Sequence, residues 1–134
     1  MPRRAAGRAI PEEEIEWRTW NDQIEGEYPG VTWGSVFSET AAPGIGLFEI
    51  APGAELPKHH HTPDEIYFVV SGEGTVKIYN RTHRLAPGTT VHIPSNAAHV
   101  TVNTGESPLR ILYMFPGASF SQVDYVIDAA PAAA

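Results

Sequence analysis

The sequence predicts an all-β barrel or sandwich, and three observations carry that expectation. From Val31 onward, short runs rich in β-branched and aromatic residues recur at regular spacing: TWGSVFSE, GIGLFEIA, EIYFVVSG, GTVKIYN, HRLA, TTVHIP, HVTVNTG and LRILYMFP. Glycine, proline and asparagine punctuate the runs, which is the texture of many short strands joined by turns. With 134 residues and 42% hydrophobic content, the chain suits one compact domain able to bury a core, not two.

The elements follow in order. Residues 1–10 read as a flexible N-terminal arm, and the alanine-rich residues 129–134 as a flexible tail, leaving 11–128 as the domain. Pro11 and Glu12–Glu14 stand where a helix N-terminus favours proline and acids, and Trp17, Trp20 and Ile24 recur at helical spacing. This predicts one short helix packed on the outside of the domain. The β-rich runs begin after it, and YNRTH is the expected turn of a β-hairpin. No repeat of 20–50 residues interrupts the pattern.

Composition narrows the chemistry. The chain has no cysteine, so disulfides and thiolate metal sites are excluded, and any metal must be held by six histidines and sixteen acids. The formal net charge of −7 argues against nucleic acid or an anionic membrane as the main partner, which makes a small molecule the default. No stretch has the length of a transmembrane helix, and MPRRAAGRAIP lacks the apolar centre of a secretory signal. Arg3, Arg4 and Arg8 leave a transit peptide open, although the following EEE fits one poorly. A soluble cytoplasmic protein is the expectation.

The densest chemistry lies in GAELPKHHHTPDEIYFVVSG, residues 53–72. Side chains alternate along a strand, so His59 and His61 share one face, and Lys58 and His60 share the other. Glu65 and Tyr67 are likewise two apart, with Ile66, Phe68 and Val70 opposite. Pro63 predicts a bend between the two pairs. In residues 88–103, His99, Thr101 and Asn103 alternate on a further strand, which offers one more imidazole. His60 and His83 read as non-ligands, and His92, flanked by Val91 and Ile93, reads as a structural histidine.

The spacings resemble the two motifs of the cupin superfamily. Gly53, five residues, His59, one residue, His61, three residues, Glu65, six residues and Gly72 match the first motif. Gly88, five residues, Pro94, one residue, Asn96, two residues, His99, three residues and Asn103 match the second, with Asn96 where cupins usually have glycine. Asparagine tolerates a left-handed backbone, so the turn can survive the exchange. The resemblance implies a cupin jelly-roll barrel in which His59, His61, Glu65 and His99 hold one divalent transition metal per chain. Three imidazoles and a carboxylate suit iron, manganese, nickel, zinc or copper and do not choose among them. A homodimer is a further family-based expectation.

EYPGVTWG, GLFEIAPGAELPKHHHTPDEIY, SNAAHVTVNTGESPLRILYMFP and the ending FSQVDY resemble the small single-domain cupin-type dimethylsulfoniopropionate (DMSP) lyases, over about residues 17–127. That resemblance implies a small carboxylate substrate, with Tyr67 as catalytic base and Tyr125 as a second tyrosine of the site. Trp33, Tyr67, Tyr113, Phe115 and Tyr125 are the aromatic side chains considered for a wall around a sulfonium group. The alternatives are a cupin dioxygenase or isomerase acting on another small carboxylate or carbonyl compound, and a metal-containing binding protein.

Overall fold

A computed structural model describes residues 7, 9–22, 26–37, 42–119 and 122–128. The expected arm and tail therefore fall largely outside the described residues. Eleven strands are described: β1 Arg18–Asp22, β2 Gly26–Ser35, β3 Gly44–Ile50, β4 Glu55–His60, β5 Glu65–Ser71, β6 Gly74–Ile78, β7 Arg81–Leu85, β8 Thr90–Ile93, β9 His99–Asn103, β10 Leu109–Phe115 and β11 Val126–Ile127. They form two antiparallel sheets, one in the order β1-β2-β3-β10-β5-β8 and one in the order β11-β4-β9-β6-β7. The jelly-roll expectation is met.

Alternation decides which side chains enter the space between the sheets. Along β3 and β10 every second residue is buried, so Phe48 and Ile50 point inward with Ile111, Tyr113 and Phe115, while Leu47, Leu112 and Met114 face outward. The second sheet contributes Leu56, Val76 and Leu85 to the same core. On β9 the inward positions are His99, Thr101 and Asn103, an unusually polar set for a core strand. Each needs a partner there, because a buried polar group without one costs free energy.

The hairpin expected near YNRTH is present: β6 pairs β7 from Gly74↔Leu85 to Ile78↔Arg81, and Tyr79 at its tip has φ 51°. Asn96 does adopt the left-handed backbone, with φ 61°. The expected N-terminal helix is corrected to a single 3₁₀ turn, Glu12–Glu14, closed by Glu14 N–H to Pro11 O and Ile15 N–H to Glu12 O, both 3.0 Å. After Ile15 the chain extends and pairs with β2 through Arg18↔Trp33 and Thr19↔Thr32. The spacing of three that puts Trp17 and Trp20 on one face of a helix puts them on opposite sides of an extended chain. Trp17 lies outside, with the Arg110 guanidinium 5.6 Å from its ring, and Trp20 turns inward and is buried. Arg110 also binds Glu49 (Nε to Oε1, 2.7 Å) and Glu12, which fastens the N-terminal segment to β10 and β3. Ile24 lies outside the described residues.

Asn103 shows how the polar strand is satisfied. Its Nδ2 donates to Ile50 O and Ser107 O, and its Oδ1 accepts from Gly105 N–H, each at 2.8 Å. One side chain thus ties the end of β3 to the turn between β9 and β10. Asn103→Ala strands two carbonyls and an amide, and orphaned groups of this kind cost about 1–3 kcal/mol each. The expected outcome is a loss of at least about 2 kcal/mol in urea unfolding. A loss under about 0.5 kcal/mol, the size of an ordinary surface change, would show that the turn is held by other contacts.

Candidate metal centre

Pairing of β4 with β9 sets His59 directly opposite His99, so one cross-strand pair supplies two imidazoles. His61 follows two residues later, just past the end of β4, and Glu65 opens β5 on the facing sheet. The chain bends at Thr62 and Pro63, as Pro63 leads one to expect, and the bend swings Glu65 across the gap between the sheets. The ring centroids of His59 and His99 are 4.2 Å apart, those of His61 and His99 5.1 Å, and those of His59 and His61 5.6 Å. One nitrogen from each lies within 4.8 Å of the others, and this is a group that could hold a metal ion among the described residues. Glu65 Oε1 is 3.1 Å from His61 Nε2 and 3.7 Å from His99 Nε2.

The hydrogen bonds behind the rings determine what they present. His59 Nδ1 lies 2.7 Å from Pro57 O, His61 Nδ1 2.8 Å from Pro63 O, and His99 Nδ1 2.9 Å from Ala97 O. A carbonyl oxygen only accepts, so each Nδ1 carries a proton, and in its neutral form each ring turns an Nε2 lone pair inward. His99 Nε2 is buried and makes no hydrogen bond. A lone pair held in that way, with no donor to meet it, fits a metal ligand. Between His61 Nε2 and Glu65 Oε1, both electron-rich, a positive centre is needed. Without a metal that centre is a proton.

The electrostatics follow the same geometry. Burial, reinforced by the neighbouring His99, holds the His59 imidazole well below the usual histidine range. Burial also lowers His99, against the opposing charge of Glu65. His61 is desolvated too, yet its bond to Glu65, the Glu65 charge and the Pro63 carbonyl outweigh that and raise it. Two rings therefore stay neutral while the third shares a proton with the carboxylate.

Beside this cluster is a narrow pocket of about 20 Å³, room for little more than one water molecule. His59 and Glu65 are at its polar side, and Trp20, Trp33, Phe48, Tyr113 and Tyr125 are among its aromatic and apolar lining. Tyr125 stands over the imidazoles, its ring 5.3 Å from His59 and 5.5 Å from His61, and it meets Trp20 edge-on at 5.4 Å. Trp20 is 6.0 Å from His59. Helical spacing would put Trp20 on an outer helix, away from the site; on β1 it lines the pocket instead. Its one sequence signal was the offset of three from Trp17, legible only once the segment is known to be extended. Gly46 gives Tyr113 its place: a Cβ there would come within 2.3 Å of the Tyr113 hydroxyl.

Tyr67 is fully buried beneath the site and is not among the pocket's lining residues. Its hydroxyl lies 3.1 Å from Thr101 Oγ1, and its ring is edge-on to Phe48 and to His99, at 5.3 and 6.4 Å. Burial, with the Glu65 charge adding to it, pushes the Tyr67 phenol well above its ordinary range, against the Thr101 hydrogen bond. Phe115 belongs to the core and meets His61 edge-on at 5.3 Å. The remaining histidines are elsewhere: exposed His92 bonds Asp64 (3.2 Å), His83 is on β7, and His60 bonds Asp128 (2.5 Å).

Two outcomes are expected. His99→Ala removes one of three inward nitrogens and should lower bound metal, measured by elemental analysis, well below that of the parent; retention of the parental content would remove His99 from the centre. In metal-stripped protein, stability should fall as pH drops below about 6.5, the unfolded histidine value. Below that point the unfolded chain takes up protons that folded His59 and His99 refuse, and the loss runs on toward their depressed folded values; His61, raised in the fold, acts oppositely and flattens the slope. Urea midpoints across that range should show a shallower slope for His59→Gln than for the parent, and equal slopes would contradict the assignment.

Comparison with known proteins bears on the same residues. Residues 46–115 match the sequence profile of the cupin domain (Cupin_2). The dimethylsulfoniopropionate lyase DddW of Ruegeria pomeroyi is 36% identical over 121 residues, covering 87% of this chain and 77% of that protein. Auxin-binding protein 1 of Arabidopsis thaliana is 37% identical over 89 residues, which span 59% of this chain and 44% of that protein. Among solved structures, a chain from the crystal structures of the DMSP lyases RdDddP and RnDddQII superposes with a TM-score of 0.72 at 26% identity, covering 85% of this chain and 62% of that one. The profile match spans both histidine motifs and most strands of the two sheets, and on that ground the chain belongs to the cupin domain family.

Proposed function

We propose that the protein is a metal-dependent lyase that cleaves DMSP into dimethyl sulfide and acrylate. The observation that carries this reading is a small pocket with a histidine and carboxylate cluster at one side and aromatic rings around it. DMSP is a short zwitterion with a carboxylate at one end and a sulfonium at the other. The likeness to the lyase of Ruegeria pomeroyi supports the choice among cupin chemistries.

In this reading His59, His61, His99 and Glu65 hold the metal. When bound, a divalent ion supplies a Lewis acid for the substrate carboxylate and positive charge beside the tyrosines. Trp20 and Tyr125 face the sulfonium through their π-systems and keep water from it. Tyr67 acts as the phenolate: its hydroxyl proton leaves to solvent under the influence of the bound cation, and Thr101 donates a hydrogen bond to the anionic oxygen. That oxygen then takes the proton alpha to the carboxylate and returns to the neutral phenol, which requires the substrate to reach past the rings that line the pocket. The C–H electron pair becomes the new carbon–carbon double bond, the bond from the β-carbon to sulfur breaks, and the pair leaves with dimethyl sulfide. Tyr125 orients and shields the substrate. A buried phenol is a poor base by itself, so the role of Tyr67 depends on a nearby cation.

Metal-loaded protein should release dimethyl sulfide from DMSP equally in air and under nitrogen, because elimination consumes no oxygen. Headspace gas analysis decides: absence of release with iron, manganese, nickel, cobalt and zinc alike would sink the lyase, and oxygen-dependent turnover would favour the dioxygenase.

Tyr67→Phe keeps the ring and its packing, so fold and metal content should persist while kcat drops by about 100- to 10,000-fold, the usual scale of acid–base catalysis. Tyr125→Phe should cost less. Near-parental kcat in Tyr67→Phe would make Tyr67 structural and transfer the base to Tyr125, which lines the pocket as Tyr67 does not.

A further inference from the structure

The middle histidine of the run His59, His60, His61 takes no part in the metal cluster, and its surroundings give it a different task. His60 Nδ1–H donates to Asp128 Oδ2 at 2.5 Å, between two partly buried side chains 68 positions apart in the chain. Asp128 also donates its backbone N–H to Lys58 O at 2.8 Å. Just before it, β11 has only two residues, paired as Val126↔His60 and Ile127↔His59. Directly before β11 comes Tyr125, with its ring over His59 and His61.

Such a short edge strand has little ladder of its own, and strands this brief are not stable without further contacts. A hydrogen bond to a carboxylate is among the stronger single contacts available, and here it closes the end of the strand. The alternation of β4 sends His59 inward and His60 to the other face. One strand therefore holds the metal cluster on one side and anchors the segment that covers it on the other.

We infer that His60 and Asp128 form a latch that positions Tyr125 over the imidazoles, so that Asp128 acts on the site through Tyr125 without touching substrate. The catalytic consequence rests on the lyase reading; the latch itself does not. It assigns the middle imidazole of the triple histidine to holding the pocket's cover in place.

The test uses the full chain with Asp128→Ala and Asp128→Asn, whose amide oxygen can still accept from His60. Hydrogen exchange of the Val126–Asp128 amides should quicken by at least about tenfold in Asp128→Ala, and recover largely in Asp128→Asn, with exchange in β3, β9 and β10 and the metal content unchanged. On DMSP, Asp128→Ala should raise KM several-fold more than it lowers kcat, and add little once Tyr125 is already Ala, because the two residues then act as one. Unchanged exchange at Val126–Asp128, or faster exchange throughout the barrel, would overturn the latch. Absence of DMSP cleavage in the parent would overturn the lyase reading instead, and the exchange measurement would still decide the latch.

Discussion

Three hydrogen bonds from imidazole Nδ1 to backbone carbonyls, at Pro57, Pro63 and Ala97, are the constraint on which the site depends. A free imidazole can place its proton on either nitrogen and rotate its ring. Each of these bonds removes both freedoms at once, because the acceptor oxygen can take only a donor and fixes the ring that offers it. The acceptors are local, two residues before His59 and His99 and two residues after His61. The ligand side of each ring is therefore prepared by its own strand or turn, and the pairing of β4 with β9 needs only to bring the prepared rings together.

Preorganisation of that kind has a cost in the metal-free protein. Two neutral rings are desolvated, the His99 Nε2 lone pair is buried without a donor, and Glu65 faces His61 at a distance that needs a positive centre. A barrel that spends its interior this way must recover stability elsewhere. The inward Val, Ile, Leu and aromatic residues of both sheets do so, together with Asn103, whose three hydrogen bonds close the turn after β9. The polar interior of β9 is tolerable because each of its groups has a partner or an electrostatic reason to be there.

Beside this centre, two of the rings that line the pocket come from outside the cupin match. Trp20 arrives on β1 and Tyr125 from the segment before β11, on either side of the matched residues 46–115. They meet each other edge-on above His59. A fold that hosts many chemistries can vary such segments without disturbing the histidine cluster, since β1 and β11 are edge strands of their sheets. The N-terminal segment is fastened by Arg110 through Glu12, and the C-terminal one by Asp128 at His60.

The jelly-roll barrel and the grouping of His59, His61, Glu65 and His99 came from the resemblance of two motifs to the cupins, whereas local rules of alternation and turn chemistry made the β-rich class and the hairpin at Tyr79 legible in the sequence. The left-handed Asn96 was legible for the same reason. Long-range contacts were needed to show that Trp17 and Trp20 lie on an extended segment, that Tyr67 is fully buried and does not line the pocket while Tyr125 does, and that His60 meets Asp128. Spacing of three is shared by helix and strand readings and is resolved only by pairing with β2, a non-local event. Burial of Tyr67 and the reach of Asp128 depend likewise on contacts between segments far apart in the chain, and a local pattern carries no information about which distant segment will arrive.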